Sequence, residues 1–330
     1  MHYFKRYFLI IIITFLILLN LIPTPYFLVI PGQVIKLSEN ITVENGEKDA
    51  KGQFLLTSTA IIKANLLLYI YGFFDPNIDL KNRDDEILLN MEQKDYINTM
   101  EKLMQESQMI SKIVALRKAG YLPEISGHGI LVNGTLDNSP AKNKLLPGDV
   151  IIKIDKQPVY ILEELSEIIR NYNSNQIVSI TFLRDNSAYS TSIPLIELDN
   201  ADDKTERIGI GIYAETKDLQ CNFPLEIEID LNKIKGPSAG LMIALEILNQ
   251  LTENDLSSSL VIAGTGNLSI DGSITEVDGI KQKLISAKKQ KADIFLVPQK
   301  NYAEALKFDQ DIRIIPVDDF DDAIMKLIKL

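Results

Sequence analysis

The stretch KGPSAGLMIALEILNQL, residues 235–251, decides how this chain is read. A small-residue segment, GPSAG (236–240), runs directly into an apolar stretch with no charge except Glu246. Proline is at ease in the first turn of a helix, where its missing N–H leaves no bond unmade. A helix apolar on nearly every face is a buried one. The spacing therefore predicts a buried helix with Ser238 at its N-terminus. There, free N–H groups and the positive end of the helix dipole suit the oxyanion of an acyl-transfer intermediate. Gly236, Pro237 and Ala239 would shape that cradle. A serine helix cap is the plain alternative, because Ser is a common cap.

A nucleophilic serine needs a base. The 330 residues contain two histidines, His2 and His128. His2 precedes the apolar N-terminus, and nothing near His128 in the sequence supplies a nucleophile or an orienting acid. Lysine is the remaining candidate. DGIKQKLISA (278–287) predicts a helix that carries Lys281 and Lys283. Residues two apart on a helix point in different directions, so only one can face the serine. A lysine base must be neutral, and burial lowers its pKa from about 10.4 toward working pH. Leu284, Ile285 and the 241–251 helix can provide the apolar surroundings. Lys281 is then expected to be a solvated surface lysine, and Asp278 is expected to face solvent.

Composition removes several function classes. The net charge of −11, with no basic stripe, argues against nucleic acid as a partner. One cysteine, Cys221, excludes an internal disulfide and multi-cysteine zinc sites, and there is no HExxH. No metal or other cofactor is expected. No Gly-Lys pair occurs, so no Walker A loop for ATP is present in this sequence.

The N-terminal residues 7–22, YFLIIIITFLILLNLI, carry no charge, and none follows until Lys36. A membrane span needs about 20 apolar residues, and the PTPYF segment (23–27) is expected to complete one at the interface. Lys5 and Arg6 flank the inner end, and no small-residue cleavage site follows. The expectation is an uncleaved single-pass anchor in the cell membrane over residues 1–30, with the catalytic domain on the extracytoplasmic side.

Further along, PGQ (31–33) and ENGEKDAKG (44–52) read as turns between short strands, with helical patterns at 64–76 and 92–119. These belong to a membrane-proximal region, 31–120. Residues 121–196 read as a β-rich unit: GHGILV (127–132) as a glycine turn into a strand, NSPAKNKLLPGDVIIKID (138–155), an amphipathic helix at 162–172 and a strand at 177–185. From 205 to 330 the pattern mixes strands (208–215, 223–231, 260–266, 293–298, 311–317) with helices (281–292, 321–330).

The SPA (139–141) and LLPGDVIIKID (145–155) stretches, with the helix at 162–172, resemble a PDZ domain. PDZ domains bind peptide C-termini by taking them up as an added strand. The resemblance implies that Gly127, His128, Gly129 and Ile130 form the carboxylate-binding loop. GPSAG, then TGN (265–267), then DGIKQK and ADIFLVP, in that order, resemble the proteolytic domain of Lon proteases over about 205–330. With the N-terminal segment, YFLVIPG and KGQFLLTSTAIIKANLLLYIYGFF (51–74), the whole chain is similar to bacterial membrane-anchored PDZ-plus-Lon-domain proteases.

That family uses a Ser–Lys dyad. The resemblance implies Ser238 as nucleophile, Lys283 as base and Thr265 close to the lysine. Asp278 departs from the family's glycine pair, and Lys235 stands where many relatives have glycine. The implied fold is a multidomain α/β (α+β) protein with an N-terminal transmembrane helix, a PDZ-like domain (121–196) and a Lon-type proteolytic domain (205–330). The implied function is an ATP-independent serine endopeptidase that acts on exported or membrane-attached polypeptides, with the PDZ domain selecting them. The alternative is an outward-facing PDZ scaffold with an inactive Lon-like domain. Lon domains elsewhere assemble into rings, which leaves a homo-oligomer open.

Overall fold

Strands Pro23–Lys36 and Gln53–Asn65 pair antiparallel along most of their length, and the rest of the larger unit is built on them. The computed structural model describes residues 2–48, 51–83, 93–198, 207–232, 234–253, 255–308 and 311–330. It divides into a unit of residues 1–122 with 224–330 and a second unit of residues 123–223.

In the larger unit one sheet runs Arg313–Val317, Ile294–Pro298, Val261–Gly264, Gln53–Asn65, Pro23–Lys36, Asp79–Asn82. The first four strands are parallel, and the last two pair antiparallel. Ile294–Pro298 is buried throughout, as a near-continuous apolar strand covered on both faces must be. Val261–Gly264 pairs with Gln53–Asn65, so the region that sequence reading set apart as 31–120 supplies half of the sheet beneath the C-terminal segment. The contact is long-range in sequence, and no local pattern announces it.

The segment PGQ is not a turn. The register slips between Pro31 and Val34 inside one continuous strand. Pro31 has no N–H to give to the ladder, and the strand absorbs the gap as a bulge. Helix Gly240–Leu251 is buried over residues 240–250, as its composition requires. Helix Ile280–Lys289 packs Ile280, Leu284 and Ala287 into a core with Leu55, Phe295 and Val297.

The expected transmembrane helix is corrected. Helix His2–Leu21 ends where Pro23 begins the first long strand, so PTPYF extends a sheet rather than a span. The apolar run left between Arg6 and Asn20 covers residues 7–19, short of the about 20 residues that a crossing requires. No helix among the described residues is long and apolar enough to cross a membrane. The expectation of a single-pass membrane location, with membrane contact through the N-terminal helix and an extracytoplasmic catalytic domain, loses its basis with it.

In the second unit the sheet runs Ser187–Pro194, Ile177–Arg184, Val150–Ile154, Ile130–Thr135, Ile212–Thr216. Its core gathers Ile130, Val132, Ile151, Ile154, Leu165, Ile169, Val178, Ile180 and Phe182. Arg184 closes a two-pronged ion pair on the buried Asp149, with both bonds at 2.7 Å. The strand Ile212–Thr216, expected in the C-terminal domain, belongs to this sheet.

Candidate active site

Ser238 lies in a short 3-10 turn, Pro237–Ala239, that feeds directly into helix Gly240–Leu251. Sequence reading placed Pro237 in the first turn of the α-helix itself; the observed turn is tighter. Gly236 enters it at φ 99°, ψ 157°, a region that residues with side chains rarely adopt. The Gly236 N–H donates to the Met100 carbonyl at 3.0 Å. Gly236 therefore shapes the turn rather than offering a free donor, and Pro237 has no N–H.

The turn is gripped from two sides. On one side stands helix Gln93–Lys118. Its Ser107 hydroxyl donates to the Pro237 carbonyl at 2.9 Å, and Ser111 Oγ lies 2.9 Å from the Gly240 carbonyl and 2.6 Å from that of Ser107. Glu101 of the same helix forms an ion pair with Lys235. On the other side, the Ser238 carbonyl accepts from the Gly266 N–H at 3.0 Å and from the Thr265 hydroxyl at 3.1 Å. Sequence reading missed Met100, Ser107 and Ser111. Their only signal was helical periodicity, which says nothing of what a face packs against.

Lys283 stands on helix Ile280–Lys289 and is 3% exposed. Its Nζ lies 3.0 Å from Ser238 Oγ and 3.0 Å from Thr265 Oγ1. Burial pushes its pKa down from 10.5 to about 8, against the opposing pull of the Asp278 and Glu304 carboxylates. Asp278 faces solvent, as expected. Gly279 caps the helix in the left-handed region at φ 74°. A Cβ there would also meet Thr59 Cγ2 at 2.5 Å, so a side chain is excluded twice over. Lys281 is not a solvated lysine. It is 18% exposed and forms an ion pair with Asp79 at 2.6 Å, while Gln282 donates to the other oxygen of Asp79 at 2.8 Å.

The geometry can carry acyl transfer. A buried amine within hydrogen-bond reach of a hydroxyl can take its proton once neutral. Thr265 joins the two by holding the amine and the Ser238 backbone at once. Among the described residues no group of His, Cys, Asp or Glu is placed to hold a metal ion.

In the second unit, Gly127, His128, Gly129 and Ile130 do not form an open anion cradle. The His128 N–H donates to the Lys217 carbonyl at 2.9 Å and the Gly129 N–H to that of Tyr160 at 3.1 Å. The His128 ring is exposed, 3.7 Å from Asp218. Strand Ile130–Thr135 is paired on both sides, by Val150–Ile154 and Ile212–Thr216, so a peptide has no edge to join there. The edge strand on this side of the sheet is Ile212–Thr216. It follows the glycine-containing segment Gly209–Gly211, and helix Leu162–Ile169 starts beside it, with the Leu162 N–H donating to Thr216 Oγ1 at 2.9 Å. GIGI (209–212) carried the same glycine signal as GHGI, and only strand order tells the two apart.

Residues 230–329 match the model of the Lon protease (S16) C-terminal proteolytic domain, and residues 87–195 match that of the PDZ domain. The Lon protease of Campylobacter concisus is 27% identical over 54% of this chain and 22% of its own length. The Lon protease of Aster yellows witches'-broom phytoplasma is 23% identical over 85% of this chain and 33% of its own. The chain thus spans a third or less of the length of these relatives. Among solved structures, the PDZ domain of an SdrC-like protein from Listeria monocytogenes is 26% identical, covering 26% of this chain and 87% of that one, with a TM-score of 0.24. The chain carries a Lon-type proteolytic domain, that of a serine protease, together with a PDZ domain.

Proposed function

We propose that this chain is a serine endopeptidase in which Ser238 is the nucleophile and Lys283 the general base. The observation that carries the reading is the buried Lys283 amine, 3.0 Å from Ser238 Oγ, with its pKa lowered to about 8. Neutral Lys283 takes the Ser238 proton as Oγ bonds to the substrate carbonyl carbon. The electron pair displaced onto oxygen is met by the backbone N–H of Ser238, in a turn whose Gly236 N–H is engaged and whose Pro237 has none. The intermediate collapses by breaking the C–N bond, and the Lys283 ammonium gives its proton to the leaving amine. Water then attacks the acyl-enzyme, its proton passing to Lys283 and from there to Ser238 Oγ as the acyl C–O bond breaks and the acid product leaves. Thr265 positions the amine throughout.

The chemical step uses no nucleotide, in keeping with a sequence that holds no Walker A loop. Substrates are polypeptides. The PDZ unit selects them by taking an extended segment onto the edge strand Ile212–Thr216, beside helix Leu162–Ile169.

Labelling by a serine-reactive probe tests the reading. The wild-type protein should label and cleave an unfolded polypeptide such as casein, and Ser238→Ala should do neither. A folded wild-type protein that does neither would leave a binding scaffold as the better account.

A further inference from the structure

One helical turn from the dyad lies a pocket of different character. Its apolar wall is Val29, Ile61 and Tyr96, and its floor carries Gln282. Asp79, Asp278 and Glu304 line it too, against a single ammonium, Lys81. The pocket sits close to the reacting serine on two independent counts. Gly279 lines it four residues before Lys283, and Tyr96 lines it four residues before Met100, whose carbonyl holds Gly236. Four residues of α-helix rise about 6 Å, the distance that about two residues of an extended peptide cover.

Gln282 is fully buried. Its Nε2 donates to Asp79 Oδ2 at 2.8 Å, which fixes the orientation of the amide. Oε1 is then left as a buried acceptor without a donor. Buried polar atoms are rarely left unpaired, and one that is calls for an explanation. Asp79 has its cation already in Lys281, whereas Asp278 is exposed and Glu304 is half-buried, with an Asn301 amide 3.2 Å away. The pocket therefore combines an excess of negative charge, a waiting acceptor and an apolar wall. An apolar wall beside the acceptors suits an organic cation, whose aliphatic stem it can cover.

We propose that this pocket is a substrate subsite for a positively charged side chain, arginine above all, with Gln282 Oε1 and the carboxylates of Asp278 and Glu304 as its acceptors. The proposal rests on the reading of the chain as an endopeptidase acting at Ser238. A guanidinium has five N–H donors in one plane and no acceptor, which matches a pocket of acceptors. Its aliphatic stem lies along Val29 and Ile61. The ring of Tyr96 offers a face to the cation.

The test uses the full chain and fluorogenic peptides that carry arginine, citrulline or norleucine at one fixed position, scanned on both sides of the cleaved bond. Citrulline keeps the shape and removes the charge. At one position arginine should raise kcat/KM about tenfold over citrulline, the effect of one charge-assisted hydrogen bond. The Asp278→Asn/Glu304→Gln variant should bring that ratio close to one. A second arm measures binding of the same peptides to the Ser238→Ala protein by fluorescence anisotropy, which needs no turnover. Arginine-selective binding without cleavage by the wild type would refute the endopeptidase reading and leave the subsite standing. Cleavage and binding indifferent to arginine at every position would do the reverse. A preference that survives in the double variant also overturns the proposal. Should the double variant not fold, as judged by circular dichroism, Asp278→Asn alone supplies the comparison, since that side chain is exposed.

Discussion

Lys283 Nζ lies 3.0 Å from Ser238 Oγ across 45 residues of sequence, and the lysine is almost wholly shielded from water. Removing the amine should abolish catalysis. Lys283→Ala and Lys283→Arg should both lose peptidase activity by a hundredfold to ten-thousandfold or more, about what loss of a general base brings. Arginine keeps the charge but cannot accept a proton at working pH. Steady-state hydrolysis of a fluorogenic peptide checks this, and an active Lys283→Arg enzyme would sink the assignment of the base.

Activity should rise with pH and level off above about 8. The neutral amine is the working form, and its share grows as pH passes the lowered pKa. Asp278 and Glu304 hold that pKa up, so Asp278→Asn should move the midpoint of the kcat/KM profile to lower pH. A shift to higher pH would contradict the electrostatics.

Lys283 should serve activity at a cost in stability. A buried lysine with a lowered pKa destabilises the fold below about pH 8, where it must be charged in place. Between about 8 and 10.5 the unfolded chain binds the extra proton, so stability rises with pH. Lys283→Met keeps the volume and drops the charge. Its Tm at pH 7 should exceed that of the wild type, and the difference should shrink as pH approaches 10. A lower Tm for Lys283→Met across that range would mean that the amine is not a burden to the fold.

Helix Gln93–Lys118 should matter to chemistry it does not perform. Ser107→Ala removes the side-chain donor to the Pro237 carbonyl and leaves it only the Gly240 N–H of its own turn. A destabilisation of about 1 kcal/mol is expected, and kcat should fall more than KM changes, because the serine turn loses a support while substrate contacts remain. Denaturant unfolding and peptide kinetics read the two effects separately. An unchanged kcat would assign Ser107 to folding alone.

The unit 123–223 has its own core, so it can be prepared alone and titrated with peptides. Amide shifts should gather at 209–216 and 162–169. Shifts confined to 127–130 would return peptide binding to the loop that glycine spacing suggests.

Much of the site is legible in the amino-acid sequence. GPSAG ahead of an apolar helix marks Ser238, and a lysine in an apolar setting marks Lys283, because both signals are local. Helix geometry shows only that one of Lys281 and Lys283 can face the serine; the choice of Lys283 rests on the resemblance, and the ion pair of Lys281 with Asp79 is not legible in the sequence. The N-terminal segment misleads. Its apolar run counts as a span only together with PTPYF, and strand pairing by residues 53–65 takes that segment into a sheet instead.

The sequence by itself determined which residues have the chemistry: a serine after glycine and proline, a lysine among apolar neighbours, and apolar runs of helical or strand period. These are properties of a few consecutive residues, set by backbone sterics and by the preference of apolar side chains for one face. Tertiary structure alone decided what those residues meet. It brought Ser107 and Ser111 onto the serine turn, put Gln53–Asn65 beside Val261–Gly264, left Ile212–Thr216 rather than Ile130–Thr135 on the sheet edge, and set Gln282 over a pocket with an acceptor unmet. Each depends on contacts between segments far apart in sequence. Which of many apolar faces pack together is settled by the free energy of the whole fold and not by any local pattern.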